Sequence, residues 1–178
     1  MPTIHRLGGL AILFTVGLAL AGARAQSPPA APAPTTAQEV TVMGVFVDAH
    51  TRAPIVVLEG KRDKRSFGMV IGPAEATGIA VHLQHVTPPR PLTHDLFLTL
   101  FGRLNVKVDK AVITDLRDDT YFATVYLTAG GTPIELDSRP SDAIALAIRA
   151  NAPVFAEDRV FDKASQSPSL PAAPGSRI

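Results

Sequence analysis

The sequence predicts an α+β fold in a single domain, with a largely antiparallel or mixed sheet, about three helices and one helix buried. Three observations predict it. Runs rich in β-branched residues arrive in blocks, between Glu39 and Ile71 and again between Val106 and Asp137. The helical stretches fall between and after these blocks instead of alternating with single strands, which argues against a doubly wound parallel sheet. Finally, Pro140 to Ala150 is apolar on nearly every side, the pattern of an enclosed helix.

Glu39 to Asp48 (EVTVMGVFVD) and Pro54 to Glu59 (PIVVLE) read as the first two strands, and Ser66 to Ile71 as the third, in a meander. Lys61-Arg62-Asp63-Lys64-Arg65 joins the last two and reads as a solvated hairpin tip. Pro73 suits a first helical position and Glu75 its first turn. Ala76, Ile79, Ala80, Leu83 and Val86 give that helix its apolar stripe. Gly78 interrupts it at a cost of about 1 kcal/mol relative to alanine. His82 and His85 share a face, but no carboxylate follows at the next turn, so surface histidines are the better reading than a metal pair.

A proline-rich connector, Thr87 to Pro91, leads to a second helix that runs to about Leu104. Thr93 is its expected N-cap, Asp95 falls in its first turn, and Leu96, Phe97, Leu100, Phe101 and Leu104 are expected to pack inward. Val106 to Asp115, Tyr121 to Thr128 and Thr132 to Asp137 are strands. Turns at Arg117-Asp118-Asp119-Thr120 and Gly130-Gly131 separate them. Pro140 opens the buried helix, with Asp142 in its first turn. Pro153 to Phe155 is a last short strand, and Glu157 to Asp162 caps the domain.

The ends differ in composition. Residues 1–25 read as a secretory signal: a short polar start, an apolar run from Leu10 to Ala21, and Ala23-Arg24-Ala25 as a cleavage site. The run is too short to span a bilayer, which needs roughly 20 apolar residues. The expectation is a periplasmic or secreted protein with no stable membrane span after cleavage. Residues 26–38 read as a Pro/Ala-rich linker, 39–162 as the domain, and 163–178 as a disordered tail. There is no cysteine, so disulfides, thiol nucleophiles and thiolate metal sites are excluded. Within residues 39–162 there are sixteen acidic and thirteen basic side chains, which argues against a broad basic nucleic-acid surface.

The chemistry concentrates at the mouth of the buried helix, where Asp137, Arg139, Ser141 and Asp142 crowd one corner. Such a group is either a cap with an ion-pair lock or a site. His94 is either a general acid/base, being the side-chain type that titrates near neutrality, or a first-turn residue bonded to backbone or carboxylate.

Three blocks together resemble the bifunctional nuclease domain family: Ile71-Gly72-Pro73-Ala74-Glu75-Ala76, Pro89-Arg90-Pro91-Leu92-Thr93-His94-Asp95-Leu96, and Asp137-Ser138-Arg139-Pro140-Ser141-Asp142-Ala143. Thr120 to Ala123 and Ala152 to Phe155 match weaker pieces. The resemblance covers about Val40 to Phe161 and departs at Thr77-Gly78 and at the short Gly130-Gly131 connection. It implies an α+β domain that self-associates and a nuclease activity on DNA and RNA.

Its matching positions are Glu75, Arg90, His94, Asp95, Asp137, Arg139, Ser141 and Asp142. The resulting expectation is an exported nuclease that hydrolyses phosphodiester bonds. Glu75, Asp137 and Asp142 would hold Mg²⁺ or Mn²⁺. His94 would act as acid/base, with Glu75, Asp95 and Asp142 also catalytic. Arg90, Arg139 and Ser141 would bind substrate. The alternative is a non-catalytic binding or assembly module in which the polar cluster is a structural lock or ligand site. A site leaves carboxylates spare in a cleft, and a lock leaves none.

Overall fold

The computed structural model describes residues 36–166 and 176–177. The expected signal at 1–25, almost all of the expected linker at 26–38, and residues 167–175 and 178 of the expected tail lie outside them. In chain order the elements are β1 (Ala37–Val47), β2 (Pro54–Gly60), β3 (Ser66–Val70), α1 (Pro73–Leu83), α2 (Thr93–Arg103), β4 (Val106–Arg117), β5 (Thr120–Ala129), β6 (Thr132–Ser138), α3 (Pro140–Arg149), β7 (Val154–Glu157), α4 (Asp158–Ala164) and β8 (Ser176–Arg177). The strands form one mixed sheet in the order β3-β2-β1-β7-β4-β5-β6, with β8 added to β1. Among the described residues, only β4 and β7 pair in parallel.

The α+β expectation therefore holds, with four helices among the described residues instead of about three. β1 starts at Ala37, inside the stretch read as linker, because Gln38 is buried and donates to Asp63. At the other end α4 runs on to Ala164, which is buried against the core, and the two residues of β8 pair within the stretch read as tail.

One face of the sheet carries the core. Ala123, Val125 and Leu127 alternate inward on β5 and meet Ala143, Ile144 and Ala147 of α3. The α3 helix is buried as expected. It is apolar all round because the sheet lies on one side and α1 and α2 on others. On the outer face of the sheet, Lys110 lies over Tyr126 and Arg117 over Phe122, so the half-buried rings are covered by cations.

Two expectations are corrected. The first concerns α2, which has no buried residue. It touches the body through Leu98 and Phe101, while Leu96, Phe97, Leu100 and Leu104 are 48–60% exposed. The helix lies over the domain on one narrow line, so most of its apolar positions cannot reach the core. Val86 is likewise 52% exposed, since α1 ends at Leu83. The second concerns the start of α2. Leu92 is the N-cap and Thr93 the first helical residue, while Asp95 reaches back to accept from the Leu92 N–H at 2.8 Å.

The basic run between β2 and β3 is a hairpin tip tied down by carboxylates. Arg62 pairs with Asp158, Arg65 with Asp63, Asp158 and Asp162, Lys61 with Glu39 and Lys64 with Glu59. His82 is half-buried and His85 exposed at a positive-φ turn, in keeping with surface histidines. No helix among the described residues is long and apolar enough to cross a membrane.

The helices are tied together by Arg149, whose side chain is only 5% exposed. Its Nε donates to Asp95 Oδ1 of α2 at 2.8 Å, its Nη2 to the Gly78 carbonyl of α1 at 2.7 Å, and its Nη1 to the Ala145 carbonyl of α3 at 3.1 Å. Removing a buried partner strands the other charge. Arg149→Met should therefore lower stability to urea by about 3 kcal/mol, the lower end for a buried pair because Asp95 is one-third exposed. Adding Asp95→Asn to that variant should cost much less than Asp95→Asn alone, which a double-mutant cycle reads directly.

Candidate functional site

Two N-terminal helix ends and one loop set the corner. Gly72-Pro73 starts α1 and Arg139-Pro140 starts α3, each with proline where a helix has no use for an N–H. Glu75 and Asp142 consequently occupy the first turns, where exposed N–H groups favour a carboxylate. The Glu75 carboxylate folds back over Gly72, in the space a side chain there would fill.

The packing of α2 on α1 brings His94 into this corner. A Cβ at Gly78 would lie 3.3 Å from Nδ1 and Cε1 of His94, so the glycine that weakens α1 leaves the room the imidazole needs. His94 is nearly enclosed, its side chain 12% exposed, and its Nε2 lies 3.1 Å from Asp142 Oδ1. The other oxygen of Asp142 accepts from Arg139 Nε at 2.7 Å, and Arg139 Nη1 is 2.9 Å from Glu75 Oε1. The result is a chain from His94 to Asp142 to Arg139 to Glu75. Arg139 itself is 66% exposed.

Burial pushes the Asp142 carboxyl up, but the hydrogen bonds from Arg139 and His94 outweigh it and hold the group below the ordinary carboxylate range. An ionised carboxylate can only accept, so His94 Nε2 carries the hydrogen and Nδ1 keeps its lone pair when the ring is neutral. Nδ1 faces the notch above Gly78.

Two cavities flank Arg139. One, of about 380 Å³, contains His94, Asp142, Glu75 and Gly78. The other, of about 290 Å³, lies between β3, the β4–β5 turn and the start of α3, and is lined by Ser141, Glu75 and Tyr121 among others. Ser141 is 7% exposed, and its hydroxyl has no hydrogen-bond partner among the described residues.

Of the eight expected site residues, the structure brings together Glu75, His94, Arg139, Ser141 and Asp142. The other three stand apart. Asp137 is exposed on β6, opposite Thr124, and lines neither cavity. Arg90 is exposed in the connector before α2 and lines neither cavity. Asp95 has both oxygens engaged, one by Arg149 and one by the Leu92 N–H. Among the described residues no three His, Asp or Glu side chains converge as a metal site would require. Sequence reasoning passed over Arg149 and Tyr121. A lone arginine closing an otherwise apolar buried helix was the available signal for the first, while nothing local marked the second.

Residues 56–169 match the model of the bifunctional nuclease domain. An uncharacterised protein of Mycobacterium tuberculosis strain H37Rv is 35% identical over 126 residues, which is 71% of this chain and 75% of the relative. Bifunctional nuclease 1 of Oryza sativa subsp. japonica and the bifunctional nuclease of Oryza minuta are each 31% identical over 81 residues, 44% of this chain but only 24% of theirs.

Asp142 in the corner and Asp95 beneath α2 set an acid limit. Burial raises the Asp95 carboxyl, yet Arg149 and the Leu92 N–H win and lower it, as Arg139 and His94 lower Asp142. A carboxyl lowered in the folded state stabilises above its unfolded value, here 3.8, and loses that contribution as pH falls through the folded value. The melting temperature should stay level down to about pH 5 and fall below about pH 4. Other aspartates are lowered too, so the comparison isolates Asp95: the acid slope should be shallower in Asp95→Asn than in the parent.

Proposed function

The chain belongs to the bifunctional nuclease domain family, and from that membership and the geometry of the corner we propose that it hydrolyses phosphodiester bonds of DNA or RNA. The observation that carries the reading is the 3.1 Å contact between His94 and Asp142 in an open cavity beside Arg139. Asp142 holds the imidazole by Nε2. Nδ1 takes a proton from water as the water oxygen bonds to phosphorus. The bond from phosphorus to the leaving oxygen breaks, and His94 returns the proton there. Arg139 has N–H donors beyond those its two carboxylates use, and these stabilise the phosphoryl oxygens.

Glu75 and Asp142 are the carboxylates a Mg²⁺ or Mn²⁺ ion would use, but Arg139 stands between them and Asp137 is elsewhere. As arranged, these residues do not fit a resident ion, and Arg139 supplies the positive charge. Cleavage assays with Mg²⁺, Mn²⁺ or EDTA decide whether an added ion displaces it. Export to the periplasm or the exterior belongs to the same proposal and rests on residues 1–25.

The competing reading, a structural lock, is favoured by one fact: both oxygens of Asp142 have partners. Its weakness is energetic. An arginine 66% exposed contributes about 0–1 kcal/mol through such pairs, so stability alone does not account for the cluster. With the full chain and labelled DNA and RNA, His94→Gln and Asp142→Asn should each reduce cleavage by about a hundredfold or more while the fold persists. Undiminished cleavage by folded Asp142→Asn would remove the catalytic assignment. A loss of several degrees in melting temperature, with no cleavage by the parent, would establish the lock.

We also propose that α2 packs against α2 of a second copy. Leu96, Phe97, Leu100 and Leu104 make an uncharged, exposed stripe, which a two-fold axis would bury on both chains at once. Leu100→Glu should convert the oligomer to monomer in light scattering after size exclusion. A parent that is already monomeric would refute this.

A further inference from the structure

The cavity of about 290 Å³ is not used by the hydrolysis described above. We propose that it is a nucleobase subsite, which takes the base next to the phosphate at Arg139 and favours bases with an exocyclic amino group. The role given to that phosphate rests on the phosphodiester reading.

Size and lining carry the argument. The volume is just under the range of about 300–1,000 Å³ typical of small-molecule sites, so it suits one ring system better than a whole nucleotide. Met69, Ile71 and Tyr121 supply apolar wall. Tyr121 is fixed, because its ring stacks on Phe67 with centroids 5.8 Å apart and its hydroxyl donates to the Gly68 carbonyl at 3.2 Å. A rigid aromatic and aliphatic wall is what a base can pack on.

The polar groups select among ligands. Two carboxylates, Glu75 and Asp119, line the cavity against the single guanidinium of Arg139. Carboxylate oxygens suit a neutral ring bearing N–H donors. Ser141 adds a hydroxyl at the cavity wall, able to donate or accept. The backbone at the rim is held in a less common form, with φ of 48° at Asp118 and 57° at Asp119, which turns β4 tightly into β5 beside the cavity.

Arg139 lines both cavities. A phosphate on its guanidinium therefore lies between a base on one side and His94 on the other. This order, base then phosphate then imidazole, turns two adjacent hollows into one binding track.

The test measures binding by calorimetry to the full chain, using guanosine monophosphate, uridine monophosphate, ribose 5-phosphate and inorganic phosphate. Guanosine monophosphate should bind about tenfold or more tightly than ribose 5-phosphate, with uridine monophosphate weaker than the guanosine nucleotide. Val70 is 56% exposed at the end of an edge strand and lines the cavity, so Val70→Trp fills it without touching the core. That variant should bring guanosine monophosphate down to the affinity of ribose 5-phosphate and leave the latter unchanged. Ser141→Ala should weaken the nucleotide alone.

Equal binding of guanosine monophosphate and ribose 5-phosphate, or no effect of Val70→Trp in a folded protein, overturns the subsite. Cleavage of bis(4-nitrophenyl) phosphate, a diester without a base, separates the two readings. Its retention in Val70→Trp upholds the division of labour. Base-indifferent binding with intact cleavage overturns only the subsite, and base-dependent binding without any cleavage upholds the subsite and overturns only the hydrolysis.

Discussion

The buried guanidinium of Arg149 is the constraint on which the corner depends. It meets a side chain of α2, a carbonyl of α1 and a carbonyl of its own helix. A charge this enclosed is tolerated only when its donors are satisfied, so the three helices are held in one mutual arrangement. The same Asp95 that receives Arg149 also caps α2 through Leu92, which places His94 one residue earlier on the first turn. Structural and chemical residues thus alternate on adjacent positions of α2.

The contrast between Arg149 and Arg139 separates the two kinds of ion pair. Both arginines bond carboxylates at 2.7–2.9 Å, yet one side chain is 5% exposed and the other 66%. Water screens the second and leaves its unused donors accessible to a ligand. The enclosed pair secures the helices, and the exposed one faces both cavities with its charge already oriented. Gly78 serves both arrangements, offering its carbonyl to Arg149 and its missing side chain to His94.

Electrostatics elsewhere on the domain follow the same economy. The basic run after β2 is tied to carboxylates of α4 and of the neighbouring strands, so it offers no broad cationic surface. With sixteen acidic against thirteen basic residues between 39 and 162, a polyanion is attracted only locally, and salt should weaken that attraction further. A narrow track through Arg139 is consistent with that balance.

The sequence by itself determined most of the elements, α4 and β8 excepted, because helix and strand signals are local. Pro73 and Pro140 mark helix starts, alternation marks β5, and the apolar run of α3 marks an enclosed helix. It also placed Glu75, His94, Arg139, Ser141 and Asp142 as candidates that the fold gathers. Only the tertiary structure decided which candidates meet. Asp137 belongs to the same short string as Asp142, yet its pairing opposite Thr124 in the sheet sends it elsewhere. Leu96 and Leu100 have the periodicity of core residues, yet α2 rests on Leu98 and Phe101. Gly78 read as a flaw until the ring of a residue sixteen positions later was seen in its notch. Contacts between distant segments depend on how whole elements pack, and no spacing within one element encodes that.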